Sequence, residues 1–434
     1  MKILFVYPSF ERHAQSNPEL LEYVPAEEYL GPPSLGIASV AACTPEGFEV
    51  GFIDDRLEPL GDNPPEADLY ALSFFTPAAT RAFEIADALR AVGKKVVAGG
   101  VFPTMMPDEC APHFDSVVVG EGEPVWPQLC RDAEAGSLQK IYRAQEPARL
   151  DTLPQPRVDL YFASETESHS PHDYPVQLSR GCPFRCFACA VPGTMGSKIR
   201  YFPEDWCRTL LGTMAKAGKR CSLTEDTALL FLSGARRRLQ QLLEGLLRDP
   251  LPERPAFSYL GTSVPLLLQA PAELLSLLGR AGFHRLYIVC GFDPVTRDAY
   301  SLGKREAMEK CLQAVERCRD AGMEPYMSFL AGADHDDESI FDRLLEFCTK
   351  ARLEIAEFAI ATPYPGTPVW NRLEAEGRIF TREWRRYNDA NVVFRPKNMT
   401  PERLLEGYIY LWREFYRGRQ HLRSAGQEGR TVQF

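Results

Sequence analysis

The residues of this sequence that are best suited to chemistry are three cysteines in one short segment. Cys182, Cys186 and Cys189 lie in residues 180–189, RGCPFRCFAC, and are separated by three and then by two residues. Cysteine thiolates are the standard ligands of a [4Fe-4S] cluster. Three thiolates from one loop would bind three irons and leave the fourth iron open, so that a second cofactor could chelate the cluster.

Two weaker explanations of these cysteines are a zinc site and an accidental group of core residues. Structural zinc usually takes four protein ligands from two paired knuckles. The sequence has no second Cys-x-x-Cys pair, because Cys207 and Cys221 are isolated. An accidental group is not expected in a segment rich in proline and arginine.

Composition limits the class of protein. The 434 residues correspond to two to four domains, at ~100–200 residues per domain. A net charge of −10 argues against a nucleic-acid partner, and twelve cysteines are too few for a disulfide scaffold. No apolar run has the ~18 residues of a membrane helix, and the first apolar run is too short for a signal peptide. We therefore expect a cytoplasmic protein without a membrane span.

The first part of the chain has the pattern of a doubly wound α/β domain. Apolar runs typical of strands buried on both faces alternate with helical patterns; the strands are expected at 3–7, 50–53, 69–74, 95–98 and 116–119, and the helices at 35–42, 80–91 and 124–135. Ligands of such domains lie beyond the carboxyl ends of the strands. Ser73, Gly99, Gly100 and Glu121 stand at these ends, where glycine lets the backbone approach a ligand, although such residues also form ordinary turns. No dinucleotide fingerprint or Walker A sequence is present.

A proline-rich, weakly periodic segment precedes a second α/β region. Its strands are expected at 175–179, 220–223, 257–260, 286–289, 326–330 and 355–360, and its helices at 205–217, 234–247, 272–281, 305–321 and 339–351. Six units are too few for a closed (β/α)8 barrel and predict a partial barrel with its site at the C-terminal strand ends. The expected division is 1–137 for the first domain, 138–173 for a linker, 174–380 for the barrel, and 381–434 for a C-terminal helical segment and tail.

Two further segments have alternative interpretations. The C-terminal segment is rich in aromatic residues, which either line a hydrophobic pocket at the barrel mouth or, as we prefer, close the open end of the barrel. The turn GADHDD at residues 332–337 could be a metal site or contain a general base, but an acidic turn that caps the next helix is the preferred interpretation.

On these motifs the sequence resembles the radical S-adenosylmethionine (SAM) enzymes that carry a B12-binding domain. The Cys-x3-Cys-x2-Cys loop after the first barrel strand is the signature of the superfamily. Five other segments are similar to the B12-dependent branch: GPPSLG at 31–36, TPA at 76–78, GGVFPT at 99–104, GEGEP at 120–124 and TPYPGTP at 362–368. The resemblance covers nearly the whole chain and is closest in style to hopanoid methylases and anaerobic magnesium-protoporphyrin monomethyl ester cyclases.

The resemblance implies a [4Fe-4S] cluster and SAM in the barrel. Cys182, Cys186 and Cys189 would be the metal ligands and catalytic residues, and one electron would cleave SAM to a 5′-deoxyadenosyl radical. The implied SAM contacts are Phe187, near the adenine, and three carboxylates at strand ends, Glu225, Asp226 and Asp293. Asp293 precedes Pro294, so it could instead cap a helix.

The resemblance also implies cobalamin in the first domain, near Ser73, Gly99, Gly100 and Glu121. Some cobalamin domains supply a lower axial histidine from an Asp-x-His-x-x-Gly motif, which the loop SFERHA at residues 9–14 does not match. The cobalt would then be five-coordinate, or have water or a weak protein contact below it.

The activity implied is cobalamin-dependent methylation of an unactivated carbon of a small, hydrophobic molecule. A reductant such as flavodoxin or ferredoxin would supply the electron, and the enzyme would be oxygen-sensitive. One alternative is oxidative cyclisation or ring rearrangement of a tetrapyrrole or isoprenoid. A second is a B12-independent radical SAM enzyme with a degenerate N-terminal domain, and a third is a simple electron-transfer protein.

Overall fold

The computed structural model of the protein describes residues 1–11, 15–23, 33–61, 63–167, 169–171, 173–184, 186–223 and 233–419. These residues form two six-stranded parallel sheets and one two-stranded antiparallel hairpin. None of the helices in this part of the chain is long and apolar enough to cross a membrane.

The first sheet is built from the N-terminal third of the chain. Its elements, with the short helices that follow, are β1 (Lys2–Tyr7), α1 (Leu35–Ala42), β2 (Glu49–Asp54), β3 (Leu69–Ser73), α2 (Ala79–Ala91), β4 (Lys95–Gly99), α3 (Val101–Met105), α4 (Pro107–Cys110), β5 (Ser116–Val119), α5 (Trp126–Glu134), β6 (Ile141–Arg143) and α6 (Asp159–Ala163). The strands follow the order β2-β1-β3-β4-β5-β6. The chain order reverses between β1 and β3, and a doubly wound sheet binds its ligand outside the carboxyl ends at such a point.

The second sheet is an open barrel wall. Its region contains β7 (Asp173–Val176), β8 (Ser179–Arg180), α7 (Val191–Thr194), β9 (Arg200–Tyr201), α8 (Glu204–Lys216), β10 (Arg220–Leu223), α9 (Ser233–Arg248), β11 (Ala256–Ser263), α10 (Val264–Gln269), α11 (Ala272–Ala281), β12 (Arg285–Cys290), α12 (Pro294–Tyr300), α13 (Arg305–Asp320), β13 (Glu324–Ala331), α14 (Ile340–Lys350), β14 (Ile355–Ile360), α15 (Pro368–Ala375) and α16 (Pro401–Tyr416). The sheet order is β7-β10-β11-β12-β13-β14, so successive strands are neighbours. β8 and β9 form the separate hairpin.

The C-terminal helix α16 covers β14, the last strand of the open sheet. The Trp412 indole donates a hydrogen bond to the Phe358 carbonyl at 3.0 Å, and the Tyr416 hydroxyl donates to the Ala356 carbonyl at 2.7 Å. The rings of Trp412 and Phe415 also pack on Phe358. These aromatic side chains therefore close the edge of the barrel, as preferred from the sequence.

The predicted fold class, a doubly wound domain followed by a six-stranded partial barrel with a helical cover, is confirmed. Two details differ. The segment expected to be a linker contributes β6, which pairs with β5, because three residues with one buried side chain, Tyr142, are too short to show a period. The strand expected at 175–179 is split, because β7 pairs with β10 while β8 turns away to pair with β9.

Candidate functional site

A cavity of about 470 Å³ lies at the carboxyl ends of the first sheet. Its wall contains the ends of β1, β3, β4 and β5, part of α1, and residues of β7, β8 and α7 from the barrel region. The volume is typical of a ligand pocket, which usually holds ~300–1,000 Å³. The residues predicted to contact cobalamin all lie in this wall: Ser73, Gly99, Gly100 and Glu121.

Gly100 brings the ends of β3 and β4 together. It has a φ of +101°, and a Cβ at this position would lie 2.7 Å from the Phe74 carbonyl oxygen and 3.0 Å from the Ser73 hydroxyl. The Phe74 N–H donates to the Gly99 carbonyl at 3.1 Å, and the Phe102 N–H donates to the Phe74 carbonyl at 3.2 Å. Any side chain at Gly100 would therefore push apart the strand ends that form the cavity wall.

Thr104 joins the next two strand ends and was not singled out from the sequence. Its hydroxyl donates to the Gly100 carbonyl at 2.7 Å and accepts from the Gly120 N–H at 3.0 Å. The segment GGVFPT, which carried part of the resemblance, ends at this residue. The hydroxyl therefore fixes the loop after β5 against the loop after β4.

The opposite side of the cavity is aromatic and contains one cation that sequence reasoning missed. The guanidinium of Arg56 lies 4.8 Å from the Tyr7 ring centre and 5.9 Å from that of Phe10. Two of its nitrogens donate to the Asp54 carboxylate at 2.8 and 2.6 Å. Phe10 also packs edge-on against Phe75. An apolar wall with a few fixed polar groups is typical of a cofactor pocket.

Arg180 lies on the barrel side of the same cavity. Its guanidinium binds Glu121 and Glu123 from the loop after β5. Its buried Nε has no hydrogen-bond partner in the described part of the chain. The cavity at the glycine-rich strand ends, where the backbone of Gly99 and Gly100 can approach a ligand closely, fits cobalamin.

The cysteine loop follows Arg180 directly. None of the three cysteines forms a disulfide in the described part of the chain; Cys182 is buried, and Cys186 and Cys189 are half-buried. The Cys189 N–H donates to the Cys186 carbonyl at 3.2 Å. In the described residues no three His, Cys, Asp or Glu side chains converge on a single metal ion. A four-iron cluster does not require that convergence, because each thiolate binds a different iron, so the donor set fits the cluster.

Of the predicted SAM contacts, Phe187 lies within this loop and Asp293 lies beside it. Asp293 caps α12, and its carboxylate accepts from the N–H groups of Val295 at 2.9 Å and Thr296 at 3.1 Å. Burial raises the pKa of the Cys186 thiol, and the charge of Asp293 adds to the increase. The Phe187 ring lies 5.9 Å from the ring of Phe292. Asp293 is thus both a helix cap and a neighbour of the cysteine loop. The other two predicted SAM contacts, Glu225 and Asp226, lie outside the described residues.

Comparisons with known proteins place the chain in a family. Residues 29–129 match a B12 binding domain, and residues 367–426 match a domain of unknown function. Bacteriochlorophyllide d C-12(1)-methyltransferase from Chlorobaculum tepidum is 31% identical over 402 residues, which cover 88% of this chain and 82% of that protein. The chain belongs to the cobalamin-binding radical SAM enzymes.

Two further similarities agree with this family. Bacteriochlorophyllide d C-8(2)-methyltransferase from the same organism is 26% identical, and the alignment covers 88% of this chain and 86% of that protein. The structure of the radical SAM methyltransferase TsrM from Kitasatospora setae, with tryptophan and a SAM analogue bound, has a TM-score of 0.65 at 15% identity. It covers 95% of this chain and 83% of that one, and it shows the shared fold.

The predicted enzyme class is therefore confirmed. As a cobalamin-dependent radical SAM enzyme, the protein uses a [4Fe-4S] cluster, SAM and cobalamin to methylate a small molecule. The relatives favour methyl transfer over the cyclisation alternative. The B12-binding match also disfavours a degenerate N-terminal domain.

The acidic turn after β13 is occupied by the protein's own contacts. The Asp336 carboxylate accepts from the N–H groups of Gly332 at 2.9 Å and Ala333 at 2.8 Å. Asp334 pairs with Arg378 at 2.9 Å, and the Asp337 carboxylate accepts from the Ser339 N–H at 3.0 Å. These contacts agree with the preferred interpretation of an acidic turn before α14.

Proposed function

We propose that the methyl acceptor is a side-chain carbon of a chlorophyll-type tetrapyrrole. One observation carries this proposal. The two relatives described above act on the same bacteriochlorophyllide d at different positions, and each alignment spans 88% of this chain. The shared length includes residues of both sheets, so the similarity is not restricted to the cobalamin domain. A flat macrocycle also agrees with the hydrophobic acceptor expected from the sequence.

We assign the cofactor contacts residue by residue as part of the same proposal. Residues 1–137 hold cobalamin and residues 174–380 hold the cluster and SAM. The cluster ligands are Cys182, Cys186 and Cys189; the SAM contacts are Phe187, Glu225, Asp226 and Asp293; and the cobalamin contacts are Ser73, Gly99 and Gly100. Glu121, the fourth residue expected to contact cobalamin, is not included because its carboxylate binds Arg180 and Arg200. The placement of the described residues around the cavity and the cysteine loop supports this assignment.

Held by Cys182, Cys186 and Cys189, the cluster would supply radical chemistry together with SAM, and cobalamin held at the strand ends of the first sheet would supply the methyl group. The chain holds and shields them. Gly100 and Thr104 keep the strand ends in place around the cavity, and Tyr7, Phe10 and Phe75 exclude water from one side. Exclusion of water protects reactive intermediates from side reactions.

We also propose that a flavodoxin- or ferredoxin-type protein delivers the electron. Phe184, between the first two cysteines, is 40% exposed, so the cysteine loop reaches the surface. Reduced flavodoxin should support SAM cleavage by the reconstituted enzyme. Turnover with a chemical reductant but not with either protein donor would contradict this proposal.

The substrate test is anaerobic reconstitution with iron, sulfide, cobalamin and methyl-deuterated SAM, followed by mass analysis of chlorophyll-type acceptors. We expect an acceptor that gains a deuterated methyl group. Labelling of an isoprenoid instead, or loss of hydrogen without a mass gain, would overturn the tetrapyrrole proposal.

A cysteine substitution with a matched control tests the assigned cluster site. Cys186→Ala should abolish cluster absorbance and SAM cleavage. Cys207→Ala should retain both, because Cys207 is a buried cysteine of α8 outside the loop. Cluster absorbance and cleavage by Cys186→Ala that match the parent would contradict the assignment.

A further inference from the structure

A buried ion-pair network joins the wall of the cobalamin cavity to the cysteine loop. Arg180 donates from Nη1 to Glu121 Oε1 at 3.0 Å and from Nη2 to Glu123 Oε1 at 2.8 Å. Nη2 also donates to the Ser39 hydroxyl of α1 at 3.1 Å. The side chains of Arg180, Glu121 and Glu123 are no more than 4% exposed, so solvent does not weaken these contacts.

A second guanidinium completes the network. Arg200 donates to both oxygens of Glu121, at 2.8 and 3.1 Å, and to the carbonyls of Ala148 at 2.7 Å and Met195 at 2.9 Å. The Ala148 N–H donates to Glu121 Oε2 at 2.8 Å. The Glu121 carboxylate is thus surrounded by protein donors. This makes it part of the network rather than an acceptor that cobalamin would use.

The two arginines stand at the base of the hairpin that carries the cysteines. β8 and β9 pair antiparallel, with Arg180 opposite Arg200. The Cys182 N–H donates to the Gly196 carbonyl at 3.0 Å. A Cβ at Gly181 would lie 2.3 Å from the Lys198 carbonyl oxygen, so the hairpin is tight immediately after Arg180. A displacement of Arg180 would therefore also move Cys182.

The carboxylates of Glu121 and Glu123 give the Arg180 guanidinium one favourable position. Burial by itself lowers the pKa of Arg180, but Glu123 and Glu121 outweigh it and hold that pKa above its ordinary value. Burial raises the pKa of Glu123, but Arg180 outweighs it and the net shift is downward. Both groups stay ionised at neutral pH. A buried charge that loses its partner is strongly disfavoured, and a guanidinium that binds two carboxylates has a fixed direction.

We propose that Arg180 is a positioning residue: held by Glu121 and Glu123, it sets the distance and orientation of the cysteine loop relative to the cobalamin cavity. The inference rests on the cofactors that family membership assigns to this chain, and not on the identity of the acceptor. Placement of reacting groups to within about 1 Å decides rates by as much as ~100-fold. A rigid contact between the two cofactor sites would provide that placement.

Three variants test the proposal. Arg180→Lys keeps the charge but loses the planar fork that binds two carboxylates. The double variant Glu123→Gln, Arg180→Met removes one charge of each sign, so Glu121 keeps Arg200. The control is Arg157→Lys, whose partner is Asp159 and whose pair is exposed at the surface, with side chains 43% and 61% accessible.

Two measurements need no substrate, so they fail or succeed independently of the tetrapyrrole proposal. The first is hydrogen exchange of the chain without cofactors, followed at residues 120–123 and 195–201. The second is the magnetic coupling between cob(II)alamin and the reduced cluster in the loaded enzyme, measured by electron paramagnetic resonance. Iron and cobalt contents are determined on the same samples.

We expect both network variants to load iron and cobalt as fully as the control. Exchange at both segments should rise about tenfold or more, and the magnetic coupling should become weaker and more broadly distributed. Coupling identical to that of Arg157→Lys would overturn the proposal. Loss of iron with unchanged hydrogen exchange would also overturn the proposal, because the role of Arg180 would then be to retain the cluster. If the double variant does not fold, Arg180→Lys decides by the same criteria.

Discussion

At the scale of single residues, Asp293 has two roles: it caps the helix α12, and we propose that it contacts SAM. Its carboxylate accepts from two N–H groups at the start of α12 and from the Thr296 hydroxyl at 2.6 Å. It also adds to the increase in the pKa of Cys186. Asparagine keeps an acceptor for the cap but has no charge, so a substitution can separate the two roles.

We expect Asp293→Ala to lower the free energy of unfolding by about 0.5–2 kcal/mol, since it removes the cap, and Asp293→Asn to lower it by less. Both should weaken SAM binding about 10-fold or more, because a hydrogen bond to a charged group contributes about 1.5–3 kcal/mol. Equilibrium dialysis of SAM with cluster-loaded protein measures this, with Asp298→Asn on the same helix as control. Equal SAM affinity in all three variants would leave Asp293 as a helix cap only.

Glu123 should make the stability of the protein depend on pH in a defined window. Its pKa is below the ordinary value of 4.5 in the folded protein, so its contribution is complete above about pH 4.5 and is lost as the pH falls toward the folded pKa. The groups that face it are Arg180 and the Ser39 hydroxyl, and Cys43 lies nearby.

At pH 7, Glu123→Gln should lower the free energy of unfolding. The upper limit is the cost of breaking a buried ion pair, about 3–5 kcal/mol. The difference from the parent should shrink as the pH falls from about 4.5 through the lowered pKa of Glu123, because the parent then loses the same charge. Urea unfolding at several pH values, without cofactors, measures it. Glu84→Gln, at an exposed pair with Arg81, should show little difference at any pH. A difference for Glu123→Gln that is independent of pH would contradict the linkage.

At this scale the motifs located segments that line the cavity, but not the ion-pair partners of their side chains. Ser73, Gly99 and Gly100 line the cavity. Their position could be predicted because an apolar run followed by glycine marks the end of a strand. Glu121 lies there too, but its carboxylate binds Arg180 and Arg200, which are 59 and 79 residues away in the sequence. Such pairing depends on how the two sheets meet, and no local pattern encodes it.

At the scale of elements, most strands of the two large sheets could be predicted and the shortest elements could not. β5, β10 and β14 occupy the expected residues, and the three valines of β5 are an apolar run typical of a buried strand. The two-residue strands β8 and β9 have no period of their own and exist because they pair with each other. The helix α12 was expected only as the alternative role of Asp293 as a cap, because its seven residues show no clear apolar stripe.

The contact of α16 with the edge strand β14 should contribute measurably to stability. Trp412→Phe removes the indole N–H that donates to the buried Phe358 carbonyl. An unsatisfied buried acceptor costs about 1–3 kcal/mol, so the free energy of unfolding should fall by about that amount in a denaturant titration. Tyr410→Phe on the same helix removes an exposed hydrogen bond to Asp342 and should change it by less than ~0.5 kcal/mol. Equal effects would contradict a stabilising cover.

At the scale of the whole molecule, several contacts in the described part of the chain connect the cobalamin domain to the rest, and two of them are buried clusters of side chains. One is the ion-pair network around Arg180. The other is aromatic: the Phe102 ring of α3 lies 5.1 Å from that of Trp384, which in turn packs on Trp370 and Tyr387. Met105, on the same helix as Phe102, also fills the space beside Gly366. Buried joints of this kind make two domains unfold together rather than one at a time.

We therefore expect the protein without cofactors to unfold in one calorimetric transition, and Trp384→Ala to split it into two. The loss of a buried tryptophan costs about 3–5 kcal/mol, and here that cost falls on the joint rather than on either sheet. Phe283→Ala is the matched control, since Phe283 stacks on Phe257 entirely within the barrel at 4.4 Å. It should lower the transition temperature while keeping a single transition. One transition for Trp384→Ala, shifted like that of the control, would contradict a coupling role for the aromatic joint.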